Sequence, residues 1–160
     1  MAEGNYSAMR FLLKKGVKIL ARANDPPNID LTPLYFAASY GYRKVAELLL
    51  RKGAALDKKG GSDVIPLYYA TSRGRLDVVD LLLERGADVE AVTNKGWRPL
   101  QLGARNKEVI IVLLKYGADV NAKSDGYTAL YYATLIAGYI TVLLKAGADT
   151  NDLPRYKAGY

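Results

Sequence analysis

Asp77, Asp80 and Glu84 are the carboxylates whose spacing could do chemistry in this chain. At i, i+3 and i+7 they share one face of a helix, where paired carboxylates could act as general acid and base or hold a metal ion. No apolar pocket or ligand cluster accompanies them in the sequence, so they read as a solvated outer face. Asp88, Asp119 and Asp149 each follow a Gly-Ala step and read as turn residues. The stretch KKGGSD at Lys58–Asp63 superficially suits a phosphate, yet it lacks the spacing of a phosphate-binding loop and fits a hairpin tip. Histidine and cysteine are both absent, which removes disulfides, thiolate nucleophiles, Cys/His zinc sites and histidine bases. No enzymatic activity, metal or cofactor is expected.

Half of the 160 residues are apolar and 24% are charged, as in ordinary soluble domains. The longest purely aliphatic run, Val109–Leu114, falls far short of the roughly 18 residues of a membrane span. The first ten residues lack the apolar core of a signal peptide. The expected place is therefore intracellular, in the cytoplasm, with no membrane contact. Of the net charge of +7, most lies early: residues 1–53 hold nine Lys/Arg against four Asp/Glu, and the remainder is nearly balanced. Arg10, Lys14, Lys15, Lys18 and Arg22 read as a solvated helix face, with a patch for an acidic partner or phosphates as the alternative.

The elements that would position any site are repeated. LTPLYFAASYG at 31–41 returns as IPLYYATSRG at 65–74 and TALYYATLIAG at 128–138. Thr32, Ile65, Arg98 and Thr128 are equivalent, at separations of 33, 33 and 30 residues. Thr32 can cap a first helix, Pro33 suits its first position, Ala37 and Ala38 keep it slim, and Gly41 stops it. A second helix follows, with Val45, Leu48 and Leu49, then Val78, Leu81 and Leu82, at the spacing of one buried face. Gly53, Gly86, Gly117 and Gly147 suit the position just past each second helix, where φ is positive. The polar, turn-rich segments beyond them read as extended hairpins.

TPLYFAASYGYRKVAELLLRKGAA, IPLYYATSRGRLDVVDLLLERGADVEA and TALYYATLIAGYITVLLKAGAD resemble ankyrin repeats, whose units of about 33 residues combine a hairpin with two antiparallel helices. The resemblance implies an all-α repeat solenoid: a single ankyrin stack of helix-turn-helix units joined by β-hairpin loops. Repeats are expected at about 28–60, 61–93, 94–123 and 124–153, with a partial unit at about 5–27 and the start of another at 154–160. Tyr35, Tyr68, Gln101 and Tyr131 stand where the family usually has histidine, a place in which tyrosine can donate one hydrogen bond. Arg98 to Gly117 and Thr128 to Gly147 span 19 residues where Thr32 to Gly53 and Ile65 to Gly86 span 21. The first helix, or the turn after it, is expected to be trimmed in both. Phe11, Leu12 and Leu13 are expected to form half a cap, with fraying at both ends and most of it at 152–160.

The resemblance further implies a non-catalytic protein-protein interaction module that binds on its concave face and hairpin tips. Just before the Thr equivalent come Leu31, Val64, Trp97 and Tyr127; four residues after it come Phe36, Tyr69, Leu102 and Tyr132. Interface hot spots favour Trp, Tyr and Arg. Trp97, Tyr69 and Tyr127 are the expected anchors, with Arg98, Lys95 and Arg85 giving orientation and Lys52, Arg73 and Lys123 in the same register. Phe36 and Leu102 also suit a shielding role between repeats. Such a strip would take an acidic or phosphorylated protein segment. Single-stranded nucleic acid is a lesser alternative, disfavoured because the middle and last units lack a continuous basic groove. An engineered scaffold that self-associates through open stack ends is the other alternative.

Overall fold

The computed structural model describes residues 32–57, 65–135, 139–151 and 153. The expected partial units at 5–27 and 154–160, the half-cap and the fraying ends lie outside them, as does the KKGGSD tip. Eight helices are seen among the described residues, in pairs: α1 (Pro33–Tyr40) with α2 (Arg43–Arg51), α3 (Pro66–Ser72) with α4 (Leu76–Glu84), α5 (Pro99–Gly103) with α6 (Lys107–Lys115), and α7 (Ala129–Leu135) with α8 (Ile140–Lys145). Each first helix packs on its own second helix and on the first helix of the next unit, and the second helices also pack in order. The described units form an all-α solenoid of stacked helix pairs, as expected.

Local chemistry explains why the phrase recurs. Thr32 is extended, at φ −80° and ψ 156°, and its Oγ1 accepts from the Tyr35 N–H at 3.1 Å. Pro33 then opens α1 without leaving an unpaired donor. Leu34, Leu67, Leu100 and Leu130, two residues past each Thr equivalent, are buried beside Leu49, Leu82, Leu113 and Leu143 of the second helices. These eight leucines are the spine of one continuous core.

The Gly-Ala step is a helix stop built from two contacts. Gly53 has φ +86°, its N–H bonds to Leu50 O at 3.0 Å, and the Ala54 N–H bonds to Leu49 O at 2.9 Å. This is the Schellman arrangement, which needs a residue at positive φ followed by an apolar one facing the helix. Gly86-Ala87, Gly117-Ala118 and Gly147-Ala148 repeat it, with their alanines buried. Asp88, Asp119 and Asp149 then turn the chain, each Oδ1 accepting the N–H two residues on at 2.9 Å.

Those turns also join the units. Glu90 Oε1 accepts from the Asp119 N–H at 2.8 Å, and Asn121 Oδ1 accepts from the Asp149 N–H at 2.7 Å. The last described hairpin pairs β1 (Lys123–Ser124) with β2 (Tyr127–Thr128), antiparallel, with Ser124 opposite Tyr127. Asp125 and Gly126 turn it with φ of 51° and 84°, the two positive values of a tight two-residue hairpin. At the preceding junction the Thr93 N–H bonds to Trp97 O at 3.0 Å, and Thr93 Oγ1 accepts from the Trp97 N–H at 3.1 Å.

The shortening falls differently in the two short units. In the third, α5 has 5 residues where α1 has 8, and Asn106 caps α6 by accepting the Val109 N–H at 3.0 Å. In the fourth, the first helix is not trimmed, since α7 has 7 residues as α3 has, while α8 has 6 against 9 in α2; the turn after α7, the other place expected, includes residues 136–138, outside the described ones. The trim in α5 brings its end against α6. A Cβ placed on Gly103 would lie 2.9 Å from Val109 Cγ1 and 3.1 Å from Leu113 Cδ1, so glycine stands where the other units have Ala37, Ala70 and Ala133.

Candidate functional site

The buried leucine and alanine positions of the first helices leave the third and fourth residues after the Thr equivalent half-exposed in the first, second and fourth units; in the third, Leu102 is half-exposed and Gln101 is buried. Tyr35 and Phe36 of α1 and Tyr68 and Tyr69 of α3 hold these positions in the first two units. Tyr35 meets Phe36 edge-on at 5.1 Å and Tyr69 edge-on at 4.2 Å, and Tyr69 meets Tyr68 at 5.1 Å. Further along the stack, Trp97 contacts Tyr132 at 4.9 Å across the boundary between the third and fourth units. Tyr127 stacks on Tyr131 at 4.2 Å and meets Tyr132 at 6.2 Å. Edge-to-face and offset pairs each add about 0.5–1.5 kcal/mol beyond area burial, so the rings are held in place before any partner arrives.

Around the second group the surface is concave. Ser72, Trp97, Gln101, Leu102, Arg105 and Tyr132 line a cleft of about 200 Å³. Gln101 forms its inner wall at 3% exposure. Its Nε2 donates to Ala122 O at 2.6 Å, tying α5 to the next hairpin, while its Oε1 is buried without a protein donor. Arg105 is exposed at the rim. Burial pushes the phenols of Tyr132 and Tyr69 up, reinforced by Asp125 at the first and by Tyr35 at the second. Both stay neutral at physiological pH and act as ring surfaces with a hydroxyl.

The cations named from the sequence separate into two kinds. Arg73, at the end of α3, and Lys95, in the hairpin tip, are exposed; Arg73 is close enough to Tyr69 for its charge to act on that phenol. Arg98 instead turns inward, donating from Nη1 to Glu90 Oε2 at 2.9 Å and to Glu90 O at 3.1 Å. Arg85 stands on the second-helix layer and pairs with Glu47 at 3.8 Å. The structure does not bring it together with the rings. Two of the three carboxylates of α4 are likewise engaged between units. Glu84 pairs with Arg43 at 3.7 Å, and Asp80 accepts from the Tyr116 hydroxyl at 3.3 Å. Among the described residues no three carboxylates converge as a metal site.

Gln101, Arg105, Ser72 and Tyr131 belong to this surface but were not singled out from the sequence as contact residues. For Arg105 the repeat pattern gave no signal: aligned on the start of the second helix it stands at the place of Gly74, and aligned on Arg98 at that of Ser72, so in neither register does it match Arg73.

The sequence profile for ankyrin repeats (three copies) matches residues 1–93 and 67–153. No curated protein gives a significant match. Among the described residues no helix is long and apolar enough to cross a membrane. With the Thr-Pro cap, the paired helices, the Gly-Ala stop and the stacked units all in place, this chain belongs to the ankyrin repeat family.

Proposed function

We propose that this chain is a non-catalytic module that holds a protein partner on its first-helix face and hairpin tips, with Trp97 and Tyr132 as the anchoring pair. Ankyrin repeats are generally protein-protein interaction modules. The observation that supports this site is the Trp97–Tyr132 contact across a unit boundary, half-exposed beside a cleft with Gln101 and Arg105. Large rigid rings at the centre of a concave patch are the residues that carry most of an interface's affinity. Phe36, Tyr69 and Tyr127 extend the apolar surface along the stack. Arg73, Lys95 and Arg105 are the exposed cations that would steer an acidic or phosphorylated segment.

A capture experiment from nuclease-treated lysate tests this, comparing the intact chain with the Trp97→Ala/Tyr132→Ala variant. A protein held by the first and lost by the second, with both variants equally helical by circular dichroism, is the expected result. Equal retention by both would remove the site assignment.

A further inference from the structure

A second cleft lies on the same face, on the other side of Leu102. It measures about 290 Å³ and is walled by Ile65, Tyr68, Ala91, Val92, Thr93, Pro99 and Leu102, with Asp57 and Asp88 at its edge. Leu102 also walls the Trp97–Tyr132 cleft, so the two hollows are neighbours with opposite charge: a carboxylate pair at one and Arg105 at the other.

Three features make this hollow specific. Its walls are aliphatic apart from Thr93 and the Tyr68 ring, and Val92 keeps 44% of its surface exposed. Its two carboxylates are both exposed, and among the described residues neither pairs with a cation. Partial desolvation against the cleft wall, with the Asp88 charge as a second cause, raises the Asp57 carboxyl from its ordinary value, so a cation placed between the two would relieve their repulsion. The size lies just below the roughly 300–1,000 Å³ of sites that enclose whole small ligands, which suits one side chain of a larger partner. A lysine or arginine lays its methylene stem on apolar walls while its charged head reaches carboxylates or a ring face.

We infer that this cleft receives a lysine or arginine side chain of the bound partner, its stem on Ile65, Val92 and Leu102 and its cationic head between Asp57 and Asp88. The inference rests on the first-helix face being the binding face. It gives the partner a definite charge pattern, with a basic residue at the Asp57/Asp88 cleft and an acidic one at Arg105, separated by an apolar residue over Leu102. The acidic or phosphorylated segment expected from the sequence thereby gains a basic residue.

The test needs no knowledge of the partner. Nα-acetyl-lysine amide and Nα-acetyl-arginine amide are titrated into the full chain while backbone amide shifts are followed by NMR. Nα-acetyl-norleucine amide supplies the stem without the charge, and Nα-acetyl-glutamate amide the opposite charge. The expected result is saturable shifts at Ile65, Ala91 and Val92 with the two cationic probes only. Binding should weaken about fivefold in Asp57→Asn and further in Asp57→Asn/Asp88→Asn. Asparagine keeps the Oδ1 that Asp88 uses to accept the Glu90 N–H at 2.9 Å, and the Asp57→Asn single variant leaves that turn untouched. Equal shifts with norleucine amide, no saturable shift with the cationic probes, or no weakening in Asp57→Asn would overturn the assignment. Each of these outcomes is independent of the Trp97→Ala/Tyr132→Ala capture result.

Discussion

Replacing Gly103 with alanine should destabilise the fold, although alanine occupies the equivalent place in the other three units. Two effects oppose one another. Alanine gains up to about 1 kcal/mol over glycine in a helix, and less here, because Gly103 is the last residue of α5. Against this, the new Cβ would meet Val109 Cγ1 at 2.9 Å, Leu113 Cδ1 at 3.1 Å and Thr71 Cγ2 at 3.3 Å. Val109 and Leu113 are both at 0% exposure, so neither can swing into solvent, and valine is stiff at χ1. Overpacking of this kind costs about 1–3 kcal/mol. The expected net loss is about 1–2 kcal/mol, a fall of about 0.5–1 M in the urea midpoint at a slope near 2 kcal/mol/M. The assay is equilibrium urea unfolding of the full chain followed by circular dichroism. Repeating it in a Val109→Ala background supplies the control, since the extra space should remove most of the penalty and the two changes should not add. A rise in midpoint for Gly103→Ala alone, or strict additivity with Val109→Ala, would refute the packing argument.

Glu90→Ala should cost about 1–2 kcal/mol, since one side chain holds both Arg98 and the Asp119 N–H; thermal melts of Glu90→Ala and Glu90→Gln check it, with Gln recovering part of the loss. Arg85→Ala should change stability by no more than about 0.5 kcal/mol, because its pair with Glu47 is more than one-third exposed on both sides; the same melts at low and high salt should agree. For Asp57 the sign follows from a folded-state pKa above the unfolded value: its contribution is fully present below the unfolded pKa and is lost as pH rises through the folded one. Asp57→Asn should therefore match the intact chain near pH 3 and exceed it slightly at pH 7, measured by urea midpoints. Trp97 is the sole tryptophan, so Tyr132→Ala, which removes its ring neighbour, should shift its emission to the red.

Much of the scaffold was legible because its signals are local. The Thr-Pro cap at Thr32-Pro33 acts within four residues, and the Gly-Ala stop, present in all four units, is complete within six, so both are readable in the sequence. The alternation of buried Leu and half-exposed aromatic positions on the first helices was readable for the same reason. That is why Phe36, Tyr69 and Tyr132 fall on the ring surfaces; Trp97 and Tyr127 join them from the hairpins just before α5 and α7. The unreadable parts depend on contacts far apart in the chain. Whether Arg98 turns outward or onto Glu90 is decided by the path of the hairpin between them, and Arg85 is drawn to Glu47 by the packing of α4 on α2. Two residues were missing from each of the last two units, but spacing alone did not say which helix would lose them. Buried Gln101 was visible as a departure from the pattern; its bond to Ala122 O shows glutamine tying a first helix to the next hairpin.

The most direct test of the account is the affinity of the captured partner for defined surface variants, measured by isothermal titration calorimetry at fixed salt. Trp97→Ala should weaken binding about 30-fold or more, the equivalent of about 2 kcal/mol at an interface anchor. Ile111→Ala, on the exposed outer side of α6, should stay within about threefold of the intact chain. The opposite order, with Ile111→Ala disruptive and Trp97→Ala neutral, would place the partner on the second-helix layer and contradict the account.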